Sequence, residues 1–97
     1  MDNKREKFCF EKLKALCIEE EFVPFDYSIG KRRESALCIF KDNELWSVVF
    51  VEKGNDFSLK QYDNVVEACL DFLDRMADSG DERRLKNRFL ELLIDVV

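Results

Sequence analysis

The side chains best spaced to do chemistry in this chain are acids. Asp63, Glu67, Asp71, Asp74 and Asp78 recur at intervals of three or four residues, which places them within about 80° of one another on a helical wheel. Like charges at this spacing repel by a few tenths of a kcal/mol per pair, and a helix shaped only for stability would carry lysines among them. The stripe is the solvated face of an amphipathic helix, or it is an acidic docking surface on which complementary charge accelerates association with a basic partner. Either way it lacks catalytic company. The sequence has 0 His and no Thr, so it offers no imidazole base, no Ser-His or Cys-His pair and no histidine metal ligand. Its 3 glycines form no phosphate-cradling loop, and no carboxylate pair is accompanied by a base or a ligand set. The expectation is a chain that is not an enzyme and uses no cofactor or metal.

Other candidates have bland readings beside their functional ones. Cys9, Cys17, Cys38 and Cys69 each sit inside an apolar run and form no CxxC pair, which predicts reduced core thiols rather than a zinc site. Lys31-Arg32-Arg33 is a solvated basic connection or a small anion patch. Trp46 belongs to the core, where its indole N–H will need an acceptor. Glu52 follows four apolar residues and is the carboxylate expected to be partly buried. Asn55 and Asp56, in the next turn, are secondary candidates for partner contact.

Charge narrows the partners further. With 16 basic against 21 acidic residues the net charge is −5, the wrong sign for a general nucleic-acid binder. The acid lies mostly in the second half: residues 49–97 carry 7 basic and 11 acidic groups, and residues 1–48 carry 9 and 10. Met1-Asp2-Asn3-Lys4 carries no signal-peptide pattern, and no apolar run approaches the ~18 residues of a membrane span. A cytoplasmic protein without membrane attachment is expected. Its 97 residues, 46% of them hydrophobic, predict one folded domain.

The elements that must position these groups can be read from periodicity. Asp2 to Phe22 reads as a helix with Cys9, Phe10, Leu13, Leu16 and Cys17 inward. A second apolar line through Phe8, Ala15, Ile18 and Phe22 either packs on another element or faces a partner. Val23, Phe25, Tyr27 and Ile29 alternate with polar or turn residues, which predicts a half-buried edge strand from Val23 to Gly30. Ala36–Phe40 and Leu45–Val51 are strands, the second apolar on both faces and therefore central. Phe57–Tyr62 adds a short strand, and the brief connections favour an antiparallel meander. Asn64 and Glu67 form a capping box for the acid-striped helix. After Gly80, with Ser79 or Asp81 as cap, a last helix runs through Val97, turning Leu85, Phe89, Leu92, Leu93 and Val96 inward and Asn87, Arg88, Glu91 and Asp95 outward. The predicted fold is α+β: an N-terminal helix, a three- to four-stranded antiparallel sheet, and two C-terminal helices packed on it.

Across Tyr27 to Phe72 the motifs Tyr27-Ser28-Ile29-Gly30, Glu34-Ser35-Ala36-Leu37-Cys38-Ile39, Trp46-Ser47-Val48, Glu52-Lys53-Gly54 and Glu67-Ala68-Cys69 stand in order. In this order and spacing the chain resembles immunity-protein family fifty-nine of bacterial polymorphic-toxin systems. That pattern runs from a Trp-x-Val strand into a Glu-Arg-Gly turn, then through an aromatic, here Tyr62, to a helix opening with Glu-Ala-Cys. Lys53 stands where the pattern has arginine. The resemblance covers about half the chain. It implies a protein that binds and neutralises the C-terminal toxin domain of a cognate secreted protein, protecting the producing cell. If that toxin is a nuclease, its basic groove would suit Asp63, Glu67, Asp71, Asp74 and Asp78. The competing expectation is an acidic secretion chaperone or adaptor that holds an effector through the Phe8–Phe22 line.

Overall fold

The computed structural model describes residues 2–94. It is an α+β fold in which helix α1 (Asp2–Glu19) is followed by a 3-10 turn (Pro24–Asp26) and strands β1 (Tyr27–Ile29), β2 (Ala36–Asp42), β3 (Leu45–Glu52) and β4 (Asn55–Tyr62). Helices α2 (Val65–Met76) and α3 (Glu82–Ile94) complete it. The four strands form one sheet in the order β1-β2-β3-β4. The molecule is thin, 42 × 34 × 19 Å, as one helical layer on one sheet requires.

The meander holds for three of the four strands. Asp42 opposes Leu45 across an Asn43–Glu44 turn, with Asn43 in the left-handed region at φ 61°. At the next turn Glu52 opposes Asn55, and both central residues, Lys53 (φ 53°) and Gly54 (φ 78°), take positive φ. Two positive φ values are what a type I′ hairpin turn needs to match the twist of its strands. β1 departs from the prediction by joining β2 in parallel, Tyr27 opposite Leu37 and Ile29 opposite Ile39. A parallel pair usually needs a long crossover. Here β1 is only three residues long, so residues 30–35 suffice to carry the chain back.

The predicted strand from Val23 is therefore shortened to Tyr27–Ile29, still at the sheet edge. Pro24 opens a 3-10 turn instead, and the carbonyls that a strand would pair are taken by a side chain. The Arg33 guanidinium donates to Pro24 O at 3.2 Å, Phe25 O at 2.9 Å and Tyr27 O at 2.8 Å. Val23 and Phe25 consequently stand in solvent, while Tyr27 and Ile29 pack on the core.

Two apolar clusters flank the central strand, as its composition demands. On one side Trp46 and Val48 of β3 join Leu37 and Ile39 of β2, Leu13 and Leu16 of α1, Phe72 of α2 and Phe89 of α3. Burying each large side chain contributes roughly 1.5–3 kcal/mol. The Trp46 indole finds its acceptor in Glu6 Oε1 at 2.8 Å. On the other side Ala36, Cys38, Val49 and Val51 are completely buried although no described helix contributes to their cluster. The β1–β2 loop shields them: Cys38 Sγ sits 3.3 Å from both the amide nitrogen and the carbonyl oxygen of Arg33. Arg32 reaches Asp56, and Glu34 accepts from the Gly54 amide at 3.0 Å.

Glu52 is exposed rather than partly buried, because it is the last residue of β3 and opens the turn. In α3, Leu85 and Phe89 are buried and Leu92 and Leu93 pack against the same core. Asp95 and Val96 lie outside the described residues.

Candidate partner-binding surface

Three of the predicted stripe acids, Glu67, Asp71 and Asp74, ride on α2, while Asp63 and Asp78 stand just outside its two ends. The start of α2 is set by Asn64. Its Oδ1 accepts from the amides of Val66 at 2.8 Å and Glu67 at 3.2 Å, satisfying two of the donors that a helix N-terminus leaves unpaired. Val65, Ala68, Cys69, Phe72 and Leu73 are buried. The acids must then point away from the core, and Asp63, Glu67, Asp74 and Asp78 are exposed.

Asp71 differs from its neighbours. It is half-buried, accepts the Tyr62 hydroxyl at 2.7 Å and is held by Arg75 through two bonds of 3.1 Å. Burial and the bond to this carboxylate push the Tyr62 phenol up to about 12. Asp74 pairs with Lys86 of α3 at 3.1 Å. The stripe is thus divided by use. Asp71 ties the end of β4 to α2, Asp74 ties α2 to α3, and Asp63, Glu67 and Asp78 make no ion pair among the described residues. Between β4, α2 and α3 lies an open groove of about 400 Å³, floored by Leu70 and edged by Lys60, Tyr62, Glu67, Asp71, Asp74 and Lys86.

Asn55 and Asp56 are at the opposite end of β4. Asn55 opposes Glu52 whereas Tyr62 opposes Trp46, so at about 3.3 Å per residue the length of the strand separates them from Asp63. Asp56 is also committed, to Arg32 at 2.8 Å. Only Glu67, Asp71 and Asp74 lie on α2; Asp63 precedes its N-cap Asn64 and Asp78 follows its C-cap Ala77, and both caps are extended. The predicted single helical stripe therefore covers three of the five acids and leaves Asn55 and Asp56 apart. Lys31-Arg32-Arg33 is no simple solvated loop either: Arg32 and Arg33 are fasteners, and Lys31 alone of the three makes no side-chain hydrogen bond or ion pair among the described residues.

A second surface was not legible in the periodicity. Helix α1 ends in a Schellman-type closure, with Phe22 N donating to Cys17 O and Glu21 N to Ile18 O, both at 3.0 Å. Glu21 supplies the left-handed residue at φ 59°, a position that usually falls to glycine. The closure breaks the apolar line on α1: Phe22 turns into the core, and Phe8 is half-buried with the Lys12 ammonium 5.5 Å from its ring centroid. Ala15 and Ile18 stay exposed. At this corner Ile18 is 72%, Val23 53% and Phe25 78% exposed. The hint in the sequence was Pro24 within an otherwise alternating run.

All four thiols are buried and unpaired. Desolvation pushes Cys17 up to about 12 and also raises Cys9, Cys38 and Cys69, which suits core packing rather than nucleophilic use. No described helix is long and apolar enough to cross a membrane. Compared with family models, curated proteins and solved structures, the chain finds no match.

Proposed function

We propose that this chain is a non-enzymatic immunity protein that binds the C-terminal toxin domain of a cognate polymorphic toxin and neutralises it inside the producing cell. The observation that carries the reading is the set of exposed acids on α2 and just beyond its two ends. Asp63, Glu67 and Asp78 make no ion pair among the described residues, so their charge is available to another molecule. The motif order from Tyr27 to Phe72 supplies the word immunity, and the net −5 charge suits a basic partner such as a nuclease.

The decisive test is neutralisation. The C-terminal domain of the protein encoded next to this chain is expressed with and without it, and surviving cells are counted. Rescue with a stable complex is expected; killing regardless of this chain, or a harmless neighbour, overturns the reading in favour of an effector chaperone. Within a neutralising pair, Asp63→Lys with Glu67→Lys should slow association about tenfold at low salt and flatten its salt dependence. Both side chains are exposed, so the fold should tolerate the change. An unchanged rate and salt slope would remove the stripe from the interface.

A further inference from the structure

We propose that the open groove between β4, α2 and α3 is where this chain meets a second copy of itself, across a two-fold axis that sets Lys60 of each copy against Glu67 of the other. The contact goes beyond the toxin reading and does not depend on it; a toxin domain docking on Glu67 would displace the second copy.

Most of the charge in the groove is already spent within the chain. Asp71 is held by Arg75 and accepts the Tyr62 hydroxyl, and Asp74 pairs with Lys86. Of the five charged residues that line the groove, Lys60 and Glu67 alone make no ion pair among the described residues, with each other or with a third group. Both are exposed, and they stand on different walls, Lys60 on β4 and Glu67 on α2. The 2.7 Å bond from Tyr62 of β4 to Asp71 of α2 ties those walls together before anything docks. One unpaired cation and one unpaired anion on opposed walls make the groove its own complement. A two-fold axis brings residue i against j and j against i, so the unpaired charges of both copies are matched at once.

The irregularity in β4 points to the same face. Along the helix side of the sheet Trp46 opposes Tyr62, Val48 opposes Lys60 and Phe50 opposes Phe57. From Val48 to Phe50 is two steps on β3, whereas from Lys60 to Phe57 is three on β4, and Ser58 within the longer step takes φ 56°. Residues three apart in a regular strand face opposite sides. The bulge turns Phe57 to the side of Lys60 and Tyr62. A serine in the left-handed region is strained, yet the core gains little by it. Phe57 stays 48% exposed, with Phe50 6.5 Å away between ring centroids and itself 36% exposed. On the other flank Leu90, one turn beyond Lys86 on α3, is also exposed. Apolar side chains on both flanks of an internally complementary groove supply contact area that a second copy covers.

The test is molar mass in solution, measured on the full chain by sedimentation equilibrium. A dimer is expected by about 100 μM. Lys60→Glu and Glu67→Lys should each weaken it about tenfold or more, because each sets like charges together in both contacts. Mixed in equal amounts the two variants should regain the dimer, since one carries two acids and the other two cations. Both side chains are exposed, so far-ultraviolet circular dichroism of each variant should match the parent. Phe57→Ser should weaken the dimer severalfold without changing that spectrum. A parent chain that stays monomeric at this concentration overturns the proposal. A dimer indifferent to both charge reversals, or a mixture of the two variants that stays monomeric, overturns it as well. None of these outcomes touches the neutralisation test.

Discussion

Tyr62 and Asp71 show how one residue pair can serve the fold at the place where the sequence suggests only surface charge. The hydroxyl donates to Asp71 Oδ2 at 2.7 Å while Arg75 holds the same carboxylate. A raised tyrosine pKa means the fold prefers the protonated phenol. Its contribution is complete below the ordinary value of 10.0 and is lost as pH rises through about 12. Ultraviolet titration should therefore show both tyrosines ionising above the ordinary value, since burial raises Tyr27 as well, with Tyr62 near pH 12 and stability falling over that interval. In Tyr62→Phe that part of the alkaline decline should be gone. Charge reversal at Asp71, by contrast, would break a fastener as well as a surface charge. It is a poorer probe of binding than Asp63 or Glu67.

Among the elements, the β1–β2 loop has the largest structural consequence for its length. Arg33 replaces strand pairing around Pro24–Asp26 and its backbone closes over Cys38, so one residue both shortens β1 and shields the second apolar cluster. All three carbonyls are met by the single nitrogen Nη2, so removing that donor leaves them without this partner. Arg33→Ala should lower stability by about 1–2 kcal/mol, measured by denaturant unfolding. Hydrogen exchange should rise first in residues 23–35. Faster exchange confined to α2 instead would show that the loop is not held in this way. At the other edge, β4 is exposed along most of its length, and its register shifts between Val48 and Phe50 opposite Ser58, itself at φ 56°. Such an irregularity bends an edge strand away from pairing with another chain.

For the whole molecule, the helical layer is joined at its rim by exposed ion pairs that bring distant parts of the chain together. Glu19 at the end of α1 pairs with Arg88, and Glu20, the residue after it, with Arg84, both cations belonging to α3. The hydrogen bonds from Arg88 and Arg84 lower the pKa of Glu19 and of Asp81 respectively. A lowered carboxylate contributes above its ordinary value, 4.5 for Glu19 and 3.8 for Asp81. That contribution disappears as pH falls through the lowered folded value. Acid should thus loosen the α1–α3 contact below about pH 4.5, seen as faster exchange in the two helices before the sheet opens. The effect is small because these groups are solvent-screened, and 1 M salt at neutral pH should reproduce part of it.

The sequence by itself determined the parts governed by local periodicity and local chemistry. The apolar stripe of α1, the doubly apolar run of β3, the Asn64 cap and the four buried thiols all follow from neighbours a few residues apart. So does the placement of Glu67, Asp71 and Asp74 on α2, whereas Asp63 and Asp78 fall beyond its caps. Only the tertiary structure decided which of these acids are free, because Tyr62, Arg75 and Lys86 reach them through contacts that helix spacing alone does not set. It also made β1 parallel and turned Phe25 outward. An alternating pattern records which side chains can share a face, but not whether Arg33 will take the carbonyls that a strand would need. Charge spacing reports where acids gather, whereas their availability depends on cations brought by other parts of the fold.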